Sequence, residues 1–198
     1  MANFNYAKKE LNLKVVYYGT SLGGKTTNLR SIYATINGDL KGKMMSLATE
    51  LDQTIFFDFL PIDVGRVRGW KLRYHLYTVP GQVYYNASRR LVLRNVDALV
   101  FVVDSQKERL EENIESMNNL EDNLKVYSMS LREIPMVIQY NKRDLPNIMP
   151  LSELQHQLND RGFRYFESVA IRGIGVFETL KAICQLAIAT HAETLPTV

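Results

Sequence analysis

The chain has 198 residues, 46% of them hydrophobic and 23% charged, with a formal net charge of +3. These values lie near globular averages and exclude disorder, collagen-like repeats and coiled coil, and so small a charge gives no argument for nucleic acid. A lone Cys184 cannot close an internal disulfide, and no run approaches the roughly 18 apolar residues of a membrane span, so a single cytoplasmic domain over residues 1–198 is expected.

The start MANFNYAKKELNLK has no apolar leader core and the end ETLPTV no prenylation box, so any membrane contact is expected through a partner. In chain order, LKVVYYG (13–19) reads as an apolar strand and TTNLRSIYATI (26–36) as a helix opened by a glycine-rich turn. TIFFDFLPI (54–62) and KLRYHLYTV (71–79) follow, joined by DVGRVRG, which is too short for a crossover helix and implies an antiparallel hairpin at the sheet edge. DALVFVVD (97–104) is a continuous apolar run, and Leu110, Ile114, Met117, Leu120 and Leu124 then recur at helical spacing. PMVIQYNK (135–142) and RYFESVA (164–170) are the last two strands, with a short helix begun by Pro150 to Ser152 between them. Val176, Phe177, Leu180, Ile183, Cys184, Ala187 and Ile188 form the apolar stripe of a final helix. The fold class expected is α/β: six strands, mostly parallel, one antiparallel edge strand and helices on both faces.

GTSLGGKT (19–26) fits G-x-x-x-x-G-K-[ST] directly after a strand and opening a helix. Gly19, Gly23 and Gly24, with Ser21 and Leu22, let successive backbone N–H groups turn toward phosphate, and the helix N-terminus through Thr27 adds its partial positive charge. Lys25 is placed to reach the terminal phosphates and Thr26 to ligate magnesium.

The phosphate loop alone does not choose a base. IQYNKRDLP places Asn141, Lys142 and Asp144 as N-K-x-D at the end of a parallel strand, where open α/β sheets bind ligands. A carboxylate at Asp144 can accept from both the ring N–H and the exocyclic amine of guanine, a donor pair adenine lacks. Lys142 would lay its stem on the base, and Asn141 would tie this loop to the phosphate loop. Taken alone, the motif competes evenly with a polar strand-end turn; both motifs in order favour a guanine-nucleotide site.

The segments LATELDQTIFFDFLP, YHLYTVPGQVYYNASRR and IQYNKRDLPN resemble bacterial Ras-like small GTPases of the MglA type over nearly the whole length. The resemblance implies a P-loop fold of five helices around six strands, GTP/GDP and Mg2+ as ligands, and control of cell polarity or gliding motility. It also implies cytoplasmic action with recruitment to a pole by partners, a Roadblock-domain homodimer resembling MglB as activator, and effectors that read the GTP state. By the same resemblance Gly81 contacts the γ-phosphate through its backbone, Gln82 orients the attacking water, Thr54 closes over magnesium, and Ser168, Val169 and Ala170 form the last guanine-contacting loop.

The chain departs from that pattern at several places. Thr78 stands where most Ras-like proteins carry an aspartate, a departure the MglA type shares, and Asp58 is the nearby carboxylate that could substitute, against a solvated edge-strand role. Ser21 replaces a usual glycine, and Gln53 lies between Asp52 and Thr54 where the type reads D-R-T, with an arginine resembling a finger supplied in cis. Weak hydrolysis is therefore expected, with a GTP-locked scaffold as the alternative. The basic clusters Arg66, Arg68, Lys71, Arg73 and Arg89, Arg90, Arg94 read as solvated faces or an acidic docking patch. Phe56, Phe57, Phe59 and Trp70 read partly as core, Trp70 as an interface anchor if exposed, and His75, His156 and His191 show no metal spacing.

Overall fold

The apolar runs at Ala98–Asp104 and Met136–Asn141 are buried at every position, as strands must be when helices cover both faces of a sheet. In this computed structural model, which describes residues 3–48 and 54–191, these are β6 and β7. The order is β1 (Asn3–Asn5), β2 (Glu10–Gly19), α1 (Lys25–Thr35), β3 (Met45–Ala48), β4 (Thr54–Val67), β5 (Trp70–Thr78), α2 (Asn86–Leu93), β6, α3 (Leu110–Lys125), β7, α4 (Leu151–Leu158), β8 (Arg164–Glu167) and α5 (Val176–His191).

Strands run β3-β4-β5-β2-β6-β7-β8 across one sheet, with β2, β5, β6, β7 and β8 parallel to one another. Two strands were not anticipated. β3 pairs antiparallel outside β4, so the hairpin strand is not the edge of the sheet. β1 pairs antiparallel with Glu10–Asn12 of β2, on the side that β6 takes over from Val15 onward. Both are three or four residues long, too short to show a period.

The expected β4–β5 hairpin is present but longer, because DVGRV continues the strand and only Arg68 and Gly69 turn. Both have positive φ, 49° and 85°, as a two-residue hairpin of the primed type requires. A bulge between Asp63 and Gly65 re-aims the strand, with Gly65 at φ 106°. β5 alternates buried and half-buried residues, so Trp70, Leu72, Tyr74, Leu76 and Thr78 face inward.

Two cores sandwich the sheet. One packs β2, β5 and β6 against α1 and α5 through Leu29, Ile32, Leu180 and Ile183, and the other packs the opposite face against α2, α3 and α4 through Leu93, Leu120 and Leu154. Each fully buried aliphatic chain contributes about 1.5–3 kcal/mol of transfer free energy. Trp70 is 3% exposed and is met edge-on by Phe4 and Tyr6 at ring distances of 5.5 and 5.4 Å, so it is core and not an interface anchor. Cys184 is buried, and that burial pushes its thiol up to about 12, which leaves it without nucleophilic character. Among the described residues no helix is long and apolar enough to cross a membrane.

The parallel registers Gly19↔Val102 and Asp104↔Asn141 bring the C-terminal ends of β2, β6 and β7 to one edge. The loops that follow them are therefore neighbours in space, although those after β2 and β7 lie more than a hundred residues apart in the chain.

Candidate functional site

The turn from β2 into α1 depends on close backbone approach. A Cβ at Gly19 would lie 2.2 Å from Val102 O, and one at Gly24 2.1 Å from Asn141 Nδ2, with φ at 140° and 105°. Gly24 caps α1 from the left-handed region, so the helix opens with Lys25 and leaves its first N–H groups to a ligand. Lys25 is 6% exposed, and its Nζ donates to Gly19 O at 3.0 Å and Thr20 O at 2.5 Å. Burial, aided by the positive charges of Arg89 and Arg109 and opposed by Asp58, pushes its pKa down to about 7. Leu22, with φ 58°, is 68% exposed at the mouth of the loop.

Asn141 is the joint of the site. Its Nδ2 donates to Gly23 O at 2.9 Å, and its Oδ1 accepts from Ser168 Oγ at 3.0 Å and Ala170 N at 2.9 Å. One side chain thus binds the phosphate loop and the Ser168–Val169–Ala170 loop to the end of β7, the tie anticipated between the first two, with the third added. Lys142, at φ 63°, donates from Nζ to Asp104 Oδ2 at 2.5 Å and Gln106 Oε1 at 3.3 Å. Asp144 lies at the surface, its carboxylate 3.7 Å from Arg172 Nη2.

Thr78 and Asp58 meet on the other side of Thr26. Asp58 is fully buried, and its carboxylate accepts from Thr26 Oγ1 and Thr78 Oγ1 at 2.6 Å each and from Ser46 Oγ. The edge-strand reading of Asp58 as a solvated side chain is corrected: β3 covers β4, and the carboxylate points at the phosphate loop. A carboxylate among hydroxyls is the oxygen-rich donor set that suits a hard divalent cation such as magnesium. Thr54 opens β4, but its side chain lies outside the described part, as do Asp52 and Gln53 altogether.

Gly81 and Gln82 follow β5 and border, with Ser21, Leu22, Lys25, Thr26 and Arg30, a cavity of about 270 Å³. Gly81 is packed so tightly on the phosphate loop that an added Cβ would fall 2.2 Å from Ser21 Cα. The basic run after this switch is not a solvated face throughout. Arg89 is 4% exposed and donates to Pro80 O, Gly81 O and Asn119 Oδ1, while Arg90 donates to Asn123 Oδ1. In the hairpin cluster, Lys71 and Arg73 are both paired with Asp63, which lowers that carboxyl's pKa through the Arg73 hydrogen bond first. Asp104, Arg89 and Arg109 were not singled out from the sequence as site residues. Their spacing carries no motif, and only the buried Asp at the end of an apolar strand could have pointed to the first. Among the described residues no His, Cys, Asp and Glu group could hold a metal by itself, so a cation here would be held by hydroxyls and carboxylate with a ligand.

The family model for ADP-ribosylation factors matches residues 2–187. The mutual gliding-motility protein MglA of Myxococcus xanthus (strain DK1622) is 54% identical over 188 residues, which make up 95% of this chain and 96% of that protein.

Proposed function

The chain belongs to the ADP-ribosylation factor family of small GTPases and binds guanine nucleotide, and on that premise we propose how its residues work as a switch. Residues 1–198 act as one nucleotide-binding domain. The triphosphate lies along the backbone N–H groups of Gly19 to Thr27, with Lys25 on its terminal phosphates. Guanine is read by the Asp144 carboxylate, flanked by Lys142 and by Ser168, Val169 and Ala170. Magnesium, when bound, neutralises phosphate charge, and Thr26 and Thr54 would hold it, with the Asp58 carboxylate beside Thr26.

Hydrolysis adds water, oriented by Gln82, to the γ-phosphorus; the bond to the β–γ bridging oxygen breaks, and GDP and phosphate leave. Gly81 N–H and Lys25 carry the charge that develops. Neutral Gln53 supplies none, so turnover without a partner is slow. The GTP-bound switches offer a surface to effectors, and the similarity to a gliding-motility protein supports a role in polarity or motility. A Roadblock-domain homodimer is the proposed activator, acting on a cytoplasmic protein recruited to a pole by its partners.

The observation that carries this reading is Asn141, whose one amide bonds both the phosphate loop and the base loop. Competition calorimetry tests it: GTP binds and ATP does not displace it, whereas equal competition by ATP overturns the base assignment. A second reading, a GTP-locked scaffold, is favoured by Ser21 and Gln53 and opposed by Gln82. Chromatography of the bound nucleotide after a day with and without a Roadblock-type dimer separates the two, since a scaffold keeps its GTP in both.

A further inference from the structure

Two arginines that do not line the phosphate cavity hold carbonyls of the loops beside it. Arg109, which precedes α3, donates from Nη2 to Ser21 O at 2.7 Å. Arg89 of α2 donates from Nε to Pro80 O at 3.0 Å and from Nη2 to Gly81 O at 2.9 Å. The planar guanidinium suits this, because its donors are held in a fixed fork that meets two consecutive carbonyls in one set orientation, where an ammonium is a rotatable point charge. Each arginine is itself fixed: Arg89 by Asn119 Oδ1 at 2.8 Å, Arg109 by Glu112 and by Asp104 Oδ2 at 3.8 Å.

Described peptide bonds are all trans, and in a trans peptide the C=O and the following N–H point opposite ways. Pulling Ser21 O toward α3 therefore turns the Leu22 N–H away from it. Pulling Pro80 O and Gly81 O toward α2 turns the Gly81 and Gln82 N–H groups away as well. The two sides are distinct hollows that share Ser21 and Gly81 as a wall. On one side Arg89 lies with Glu112, Glu115 and Asn119; on the other lie Lys25, Thr26 and Gln82. Leu22, Gly81 and Gln82, which carry these N–H groups, line the second.

We propose that Arg89 and Arg109 are positioning residues for the triphosphate, Arg109 setting the Leu22 N–H of the phosphate loop and Arg89 setting the Gly81 and Gln82 N–H groups of the switch. This rests on the reading that the Gly19–Thr27 segment holds phosphate. The two roles separate by nucleotide. The phosphate loop serves GDP and GTP alike, whereas the switch amides serve only a γ-phosphate. Arg109 thus supports both nucleotides and Arg89 discriminates between them.

The test measures the affinity of a non-hydrolysable GTP analogue and of GDP, with magnesium, for the full chain, Arg89→Met, Arg109→Met and Arg89→Lys. Arg89→Met lowers analogue affinity about tenfold more than GDP affinity, the range expected for a lost charge-assisted hydrogen bond. Arg109→Met lowers both by similar factors, and Arg89→Lys, which keeps charge without the fork, does not restore the analogue. If Arg89→Met weakens both nucleotides equally or neither, the arginine merely packs α2 and the proposal is overturned. Should Arg89→Met fail to fold by circular dichroism, Asn119→Ala, which frees Nη1, must shift the ratio in the same direction, and no shift overturns it. Failure of the unmodified chain to bind either nucleotide instead sinks the nucleotide reading on which this depends.

Discussion

Thr78 Oγ1 donates to Asp58 Oδ2 across 2.6 Å, and the Asp58 backbone N–H donates back to the same hydroxyl at 3.0 Å. In the proposed magnesium site, this reciprocal pair lets a threonine stand where a carboxylate is usual in Ras-like proteins. The carboxylate comes from the neighbouring antiparallel strand, and the threonine fixes its rotamer. Asp58→Asn should therefore cost magnesium-dependent affinity. The amide keeps the shape, but it loses the charge and presents Nδ2 to a hydroxyl. GTP binding in magnesium is expected to weaken about tenfold or more, with a much smaller change in excess EDTA. Titrations with a fluorescent GTP in both buffers check this; equal losses in the two would show that Asp58 acts on folding alone.

Much of the fold was legible because it was written in period and punctuation. The runs at Ala98–Asp104 and Met136–Asn141 carry enough consecutive apolar residues to be read as buried strands, and both amphipathic stripes became α3 and α5. β1 and β3 were not legible, because a three- or four-residue strand is selected by the neighbour it pairs with and not by its own pattern. The loops after β2 and β7 could be singled out because each carries a compact local motif, and the fold brings them together through Asn141. Asp58, Arg89 and Arg109 act across 20, 8 and 88 residues respectively, and no local pattern announces a contact made by folding. Only chemistry hinted at Asp58: a departure at 78 leaves a missing charge, and a nearby carboxylate is the residue that can supply it.

Gln53 is the departure with the largest expected kinetic effect. An arginine finger is worth roughly 10³ to 10⁵ in rate, since it neutralises oxygen charge that exists only in the transition state. A neutral amide cannot do so, and Gln53→Arg should raise single-turnover hydrolysis, by up to about 10³ if the segment can bring the new side chain to the phosphates. Quench-flow with radiolabelled GTP measures it. A fast rate in the unmodified chain, or none gained with arginine, would move the missing charge elsewhere, with Arg30 at the same cavity the first residue to substitute.

In the proposed site, base choice rests on the Asp144 carboxylate. Asp144→Asn replaces a double acceptor with an amide whose N–H can donate to the extra carbonyl of xanthine and whose oxygen can accept only once from guanine. GTP affinity should fall by about a hundredfold while XTP affinity rises, because leaving a buried donor unpaired is costly and pairing it is not. Competition titration with both nucleotides reads the exchange, and unaltered GTP affinity would mean that the base lies elsewhere.

Lys14 makes folding stability depend on pH far from the nucleotide. Its Nζ donates to Arg94 O at 3.0 Å and sits 4.7 Å from the centre of the Tyr77 ring. Burial depresses its pKa from 10.5 to about 8, and the Asp97 charge only partly restores it. A lowered folded value means that between these two pH values the unfolded chain holds a proton the folded chain has shed. Stability therefore rises as pH climbs from about 8 toward 10.5 and is flat, for this group, below 8. Five tyrosines and Cys184 oppose the rise: burial pushes the pKa of Tyr17, Tyr18, Tyr74, Tyr77, Tyr140 and the Cys184 thiol up, so from about pH 9 upward the unfolded state ionises first and stability falls again. The curve should crest between those limits, at roughly pH 9 to 10. Lys14→Met removes this group's share of the ascending side, because a methionine keeps the packing over Tyr77 with no proton to lose; the share of Lys25, whose pKa is also pushed down, to about 7, remains, as does the descent. Urea midpoints at half-unit steps from pH 7 to 11 resolve a shallower rise above pH 8 in the variant, and a variant that retains the full rise would show that Lys14 does not titrate there.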